Sequence, residues 1–200
     1  MSNTVTARTA EPEKTSVVKP KRFSVEEFYK MTEAGILPEE SGWEVIDGYL
    51  LDKMTIGSKH ASIVKRLNRI LTNLVANQAV ISIQDPVHID EYNEPEPDIA
   101  LLEPREDFYA AGHPSPPDVL LLIEVSDSTV EYDREIKKTL YAEAGIPEFW
   151  LVNLKNETIE VYTQPKNGSY YSARILEAGE TIDSKSIENL TLSVAEILGA

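Results

Sequence analysis

The spacing of apolar residues changes repeatedly along this chain, and each change marks the passage from a helix to a strand or back. Ser24 followed by Glu27 is a capping-box pattern, and Val25, Phe28, Tyr29 and Met31 then suit a short helix ending before Gly35. Trp43–Ile46 and Tyr49–Met54 flank Asp47-Gly48, a two-residue turn signal that predicts a β-hairpin. Ser58 is a candidate cap for a longer helix to about Ala76, with Ile63, Leu67, Ile70, Leu71 and Leu74 as its buried stripe. Short strands are expected at Val80–Ile83, Val87–Ile89 and Ile99–Leu102, and the Pro-rich segment after them reads as a loop.

Val119–Val125 is apolar on both parities apart from Glu124, which is the mark of a central strand covered on both faces. A helix over Asp133–Ala144 should stop at Gly145, with Pro147 beyond it. Glu148–Asn153, Thr158–Gln164 and Tyr170–Leu176 read as strands, the last two joined around Asn167-Gly168, and a terminal helix is expected near Val194–Leu198. Residues 1–21 are polar, carry Pro12 and Pro20 and show no period, so they are read as a disordered tail before one α/β domain over 22–200.

Composition narrows the class. The chain has 200 residues, 42% of them hydrophobic, and no cysteine, which excludes disulfides and cysteine-based zinc or nucleophile chemistry. No apolar run approaches the roughly 18–20 residues of a membrane span, and nothing near Met1 reads as a signal peptide, so a cytoplasmic protein is expected. The net charge of -15 argues against a nucleic-acid binder as a whole. Yet residues 53–84 hold Lys53, Lys59, Lys65, Arg66 and Arg69 with no acid, and residues 1–22 are also net basic, so the local distribution leaves DNA open.

The chemistry lies in misplaced acids. Glu124 sits in Leu120-Leu121-Leu122-Ile123-Glu124-Val125, where an unpaired carboxylate would take up a proton or cost several kcal/mol. Asp98 opens a strand after Pro97, although aspartate at a strand end is also an ordinary turn residue. Two such carboxylates make a hard-oxygen site suited to Mg²⁺ or Mn²⁺. A cation near the attacking water is then needed, and the position two residues after Glu124 is Ser126, which carries no charge. Asp133, Lys137 and Tyr141 form one helical stripe from which Lys137 can reach the site; a surface Asp133–Lys137 ion pair is the plainer alternative. Tyr141 and Trp150 read as core aromatics, and His60, His88 and His113 show no metal-ligand spacing.

Four strings occur in order: Trp43-Glu44-Val45-Ile46-Asp47-Gly48, His60 opening a helix, Glu96-Pro97-Asp98-Ile99-Ala100, and Ile123-Glu124-Val125-Ser126-Asp127-Ser128-Thr129. Asp133, Lys137, Tyr141 and Gly145-Ile146-Pro147-Glu148-Phe149-Trp150 follow at regular spacing. Over about residues 22–198 this resembles the Uma-type "putative restriction endonuclease" family of bacteria, a branch of the PD-(D/E)xK nucleases. The resemblance implies a restriction-endonuclease-like core, a mixed β-sheet flanked by helices, and a metal-dependent endonuclease acting on phosphodiesters. It implies Asp98 and Glu124 as metal ligands, Glu44 as an extra metal ligand or a water orienter, and Lys137 as the lysine displaced onto the next helix. His60 would contact the scissile phosphate or bridge to Glu44. DNA is the implied partner, and symmetric cutting of a duplex would call for a homodimer. A non-catalytic assembly module on the same fold, suggested by the acidic charge, and an RNA or nucleotide phosphodiesterase stand as alternatives.

Overall fold

The computed structural model describes residues 19–38, 42–52 and 57–199. The expected tail falls outside these residues except for 19–21, and the end of the hairpin at 53–54 also lies outside them.

α1 (Val25–Glu33) is capped as its sequence requires: Ser24 Oγ accepts from Glu27 N at 3.1 Å, and Glu27 Oε2 accepts from Ser24 N at 2.9 Å. β1 (Trp43–Ile46) and β2 (Tyr49–Asp52) pair antiparallel around Asp47 and Gly48, both with positive φ. Gly48 is required twice over, because a Cβ there would stand 2.7 Å from Arg22 Cβ.

α2 (Ser58–Val75) buries Ile63, Val64, Leu67, Ile70, Leu71 and Val75. Ser58 does not cap it; Gly57 is the N-cap and makes no side-chain cap bond. Leu74, expected in the buried stripe, is exposed in the last turn.

The main sheet has the order β3 (Val80–Ile83), β4 (Ile99–Leu102), β5 (Val119–Ser126), β6 (Glu148–Asn153), β7 (Thr158–Lys166) and β8 (Ser169–Leu176). Only β5 and β6 run parallel, so the sheet is mixed, and the segment between them supplies the crossover helix. That crossover begins earlier than its sequence suggests. α3 (Val130–Tyr132) runs into a π-helical turn over Asp133–Lys137 and then α4 (Lys138–Glu143). Two core layers cover the sheet. α2, α5 (Val194–Leu198), Leu121, Ile123 and Val125 build one; Tyr141, Ile146, Phe149, Leu102 and Leu122 build the other.

Val87–Ile89 is not a strand. Pro86, Pro95 and Pro97 remove donors from this stretch, and it folds back on itself, with Val87 N donating to Pro95 O and Ile89 N to Asn93 O. The same loop carries the hairpin, because Glu94 N donates to Val45 O at 2.8 Å. A small pair, β9 (Thr181–Asp183) with β10 (Thr191–Ser193), is too short to show a period in the sequence. Among the described residues, no helix is long and apolar enough to cross a membrane.

Candidate active site

Strand parity decides which side of the sheet carries the acids. Glu124 shares its face with Leu122, in the layer covered by the crossover helix. Asp98 lies one residue before the pair Ile99↔Ile123, so continuing that register sets it opposite Glu124. Asp98 is tied to the sheet itself: its Oδ2 accepts from Val125 N at 2.9 Å. Glu44 arrives from β1, held by the Val45–Glu94 bridge, and its Oε2 accepts from Glu96 N at 3.3 Å. His60 comes from the first turn of α2 with Nε2 2.9 Å from Asp98 Oδ2. Lys137 closes the set from the π-helical turn.

All five of these residues line one cavity of about 400 Å³. Lys137 Nζ lies 3.0 Å from Glu44 Oε2 and 3.1 Å from Glu124 Oε1, and all three side chains are buried. The surface Asp133–Lys137 ion pair does not form. Asp133 is buried and its Oδ2 instead accepts from Ser126 Oγ at 2.7 Å and Thr129 Oγ1 at 2.9 Å. The uncharged Ser126, at the position where a lysine would have stood, therefore orients an acid.

Burial lifts the Glu124 carboxyl to about 7, opposed by Lys137 and reinforced by the neighbouring acids Asp133, Asp98 and Glu44. Burial would discharge Lys137, but Glu124, Glu44 and Asp133 together hold it well above the ordinary lysine value, so it stays an ammonium. For Asp98, burial is outweighed by His60, Val125 N and Gln84, which keep the carboxyl below its usual value. Asp133 is raised, chiefly by burial.

Four supporting residues escaped the sequence reading. Gln84, at the end of β3 with φ +55°, donates from Nε2 to Asp98 Oδ1 at 3.1 Å; nothing local announces it. Tyr141 is core, as expected, but its hydroxyl also donates to Glu124 Oε1 at 2.7 Å, a role its place on the Lys137 stripe already allowed. Tyr132 lines the cavity with its hydroxyl buried and without a hydrogen-bond partner. Asp133 was visible only as a partner for Lys137.

Among the described residues, no group of three or more His, Asp and Glu side chains stands ready as a metal cage. The reason is local: Glu44 and Glu124 both hold Lys137, while Asp98 holds His60, Gln84 and Val125 N. The donor chemistry nonetheless suits a hard cation. Among the described residues, seven carboxylates line the cavity (Glu44, Asp52, Glu96, Asp98, Glu124, Asp127 and Asp133) against Lys137 and His60. Both bonds to Glu124 fall on Oε1, and Asp98 uses three of its roughly four acceptor sites, so acceptor capacity remains on both.

The basic face of α2 is elsewhere. None of Lys65, Arg66 and Arg69 lines the cavity, and the Arg66 guanidinium packs against Gly199 at the end of α5.

Comparison with known proteins bears on the fold and the family. No curated protein matches the chain. A crystal structure described as a putative nuclease belonging to DUF820, from Anabaena variabilis ATCC 29413, superposes with a TM-score of 0.69 at 20% identity. That match covers 88% of this chain and 98% of the other, so the two share a fold. The model of the Uma2 family, described as "Putative restriction endonuclease", matches residues 25–195, and the chain belongs to that family.

Proposed function

We propose that this protein is a divalent-metal-dependent endonuclease that hydrolyses phosphodiester bonds in DNA. The observation that carries the reading is the Lys137 ammonium lodged between Glu44 and Glu124 in a cavity that also holds Asp98. Asp98, Glu124 and Glu44 would hold Mg²⁺ or Mn²⁺, which when bound lowers the pKa of a water and neutralises charge on the phosphate.

The protein's own groups set the rest. Asp98 is kept ionised and fixed in angle by His60, Gln84 and Val125 N, so it offers a standing negative charge. Burial lifts Glu124 to about 7, and a divalent cation held beside it would favour its ionised form. Lys137 remains protonated and therefore cannot be the general base; it orients the attacking water and donates to the phosphoryl oxygens as their charge grows. His60 steadies Asp98 from the first turn of α2 and would contact the scissile phosphate.

Supercoiled plasmid incubated with Mg²⁺ or Mn²⁺ tests this directly, with an RNA of matching sequence alongside. Nicking by the wild type that is lost in Asp98→Ala and Lys137→Ala is the expected result. Cleavage of RNA alone would move the substrate class, and nicking unchanged in both variants removes the assignment. Cutting both strands of a duplex calls for two sites, so a homodimer is part of this reading; a monomeric mass by light scattering contradicts that part.

The net charge of -15 favours a second reading, an assembly module that keeps the fold without turnover. Absence of any Mn²⁺-induced thermal shift at millimolar metal would favour it.

A further inference from the structure

Among the described residues that line the cavity, Lys137 sits where two carboxylates converge. Glu44 comes from the hairpin and Glu124 from the central strand, and the Lys137 ammonium links them, at 3.0 and 3.1 Å. Two buried carboxylates that close repel each other unless a cation lies between them. Among the described lining residues, acids outnumber basic groups, so negative charge predominates around this lysine.

We infer that Lys137 is the resident counter-ion of this site: it holds Glu44 and Glu124 together and must withdraw from them before a divalent cation can be seated. The inference rests on the metal-dependent reading above. It assigns Lys137 a role as competitor for the metal position, in addition to its role toward water and phosphate.

Three features support an exchange of partners at this position. Lys137 ends a π-helical turn, whose wider winding is a local irregularity in an otherwise regular crossover helix. Asp133 opens the same turn and is near enough to act electrostatically on Lys137. Both bonds that Asp133 accepts from Ser126 and Thr129 fall on Oδ2, so its Oδ1 is a second partner for a withdrawing ammonium. Finally, Tyr141 donates to Glu124 Oε1 independently of Lys137, so Glu124 keeps one anchor when the lysine leaves.

The two possible roles of Lys137 predict opposite signs. A competitor weakens metal binding by its presence, whereas a mere scaffold strengthens it. Calorimetric titration with Mn²⁺, without nucleic acid, on the full chain and its variants separates them. Lys137→Gln is expected to bind Mn²⁺ about tenfold more tightly than the wild type. Its melting temperature in chelator should fall below the wild type and recover when Mn²⁺ is added. Tyr141→Phe, which removes an anchor but no charge, is expected to bind more weakly. If Lys137→Gln does not fold, Lys137→Arg serves, since a permanent cation of larger reach should bind Mn²⁺ no more tightly than the wild type. Wild-type binding with equal or weaker binding by Lys137→Gln overturns the inference alone, as does tighter binding by Lys137→Arg. No Mn²⁺ binding by any of these proteins overturns the metal-dependent reading and the inference with it.

Discussion

Lys137 Nζ stands 3.0 Å from Glu44 Oε2, joining the crossover helix to a hairpin at the far end of the chain. The pair is buried, so it cannot be treated as a surface ion pair of small worth. Removing the cation alone leaves Glu44 and Glu124 uncompensated. Lys137→Met should therefore cost about 3–5 kcal/mol of stability in the absence of metal. Urea denaturation in chelator measures it, and a loss of only a few tenths would mean the site is wetter than its burial implies.

Tyr132, which lines the cavity, and Tyr141, which lies in the core behind Glu124, should behave oppositely. Tyr141 donates to a carboxylate, so Tyr141→Phe should cost about 1.5–3 kcal/mol. Tyr132 Oη is buried with no hydrogen-bond partner, so Tyr132→Phe removes a desolvated hydroxyl and breaks no bond. Its melting temperature should match or exceed the wild type. A clear drop would reveal a bond that this geometry does not contain.

Metal should stabilise the fold by mass action. At a concentration a hundred times its dissociation constant, Mn²⁺ should add about 2.7 kcal/mol, seen as a rise in melting temperature. Asp98→Ala and Glu124→Ala should abolish the rise. Persistence of the full shift in both variants would place the metal somewhere else.

Acid stability should report a pair outside the site. Glu160 is buried, which would raise its carboxyl, but Arg134 donates to it from Nε at 3.1 Å and from Nη2 at 2.5 Å and holds it below the usual 4.5. A carboxyl lowered on folding contributes stability that is present above its unfolded pKa and is lost as pH falls through the folded one. Wild-type stability should therefore fall as pH drops below 4.5. Glu160→Gln should show a lower plateau at neutral pH and a flatter acid limb, read from urea midpoints across a pH series.

Glu148 predicts a purely structural loss. It is fully buried and accepts from Trp150 Nε1 on one oxygen, and from Ser184 Oγ, Lys185 N and Ser186 N on the other. Glu148→Ala removes the acceptor these four donors share, leaving Ser186 N only its longer bond to Ser184 Oγ at 3.3 Å, and should cost about 3 kcal/mol by denaturant unfolding.

What the chain discloses about itself follows from how far each signal reaches. The central strand is legible because Val119–Val125 is apolar on both faces, and Glu124 is conspicuous for breaking that run. The hairpin is legible because Asp47-Gly48 needs positive φ at both positions. Periodicity also set Lys137 and Tyr141 on one stripe, although the π-helical turn that presents Lys137 has no signature in residue spacing. Contacts between distant segments were beyond reach: Gln84 on Asp98, or Glu44 on Lys137, depend on how the loop at 84–97 packs the hairpin against the sheet. Val87–Ile89 misled for the same reason, since its alternation is that of a strand while its prolines deny it a ladder.

The central claim is that Asp98 and Glu124 share a divalent cation, and anomalous scattering from Mn²⁺-soaked crystals tests it most directly. The account predicts one strong peak about 2.0–2.3 Å from oxygens of both carboxylates, with Lys137 Nζ moved off Glu124. A cavity without a peak, and with Lys137 still bridging Glu44 and Glu124 at saturating Mn²⁺, would contradict it.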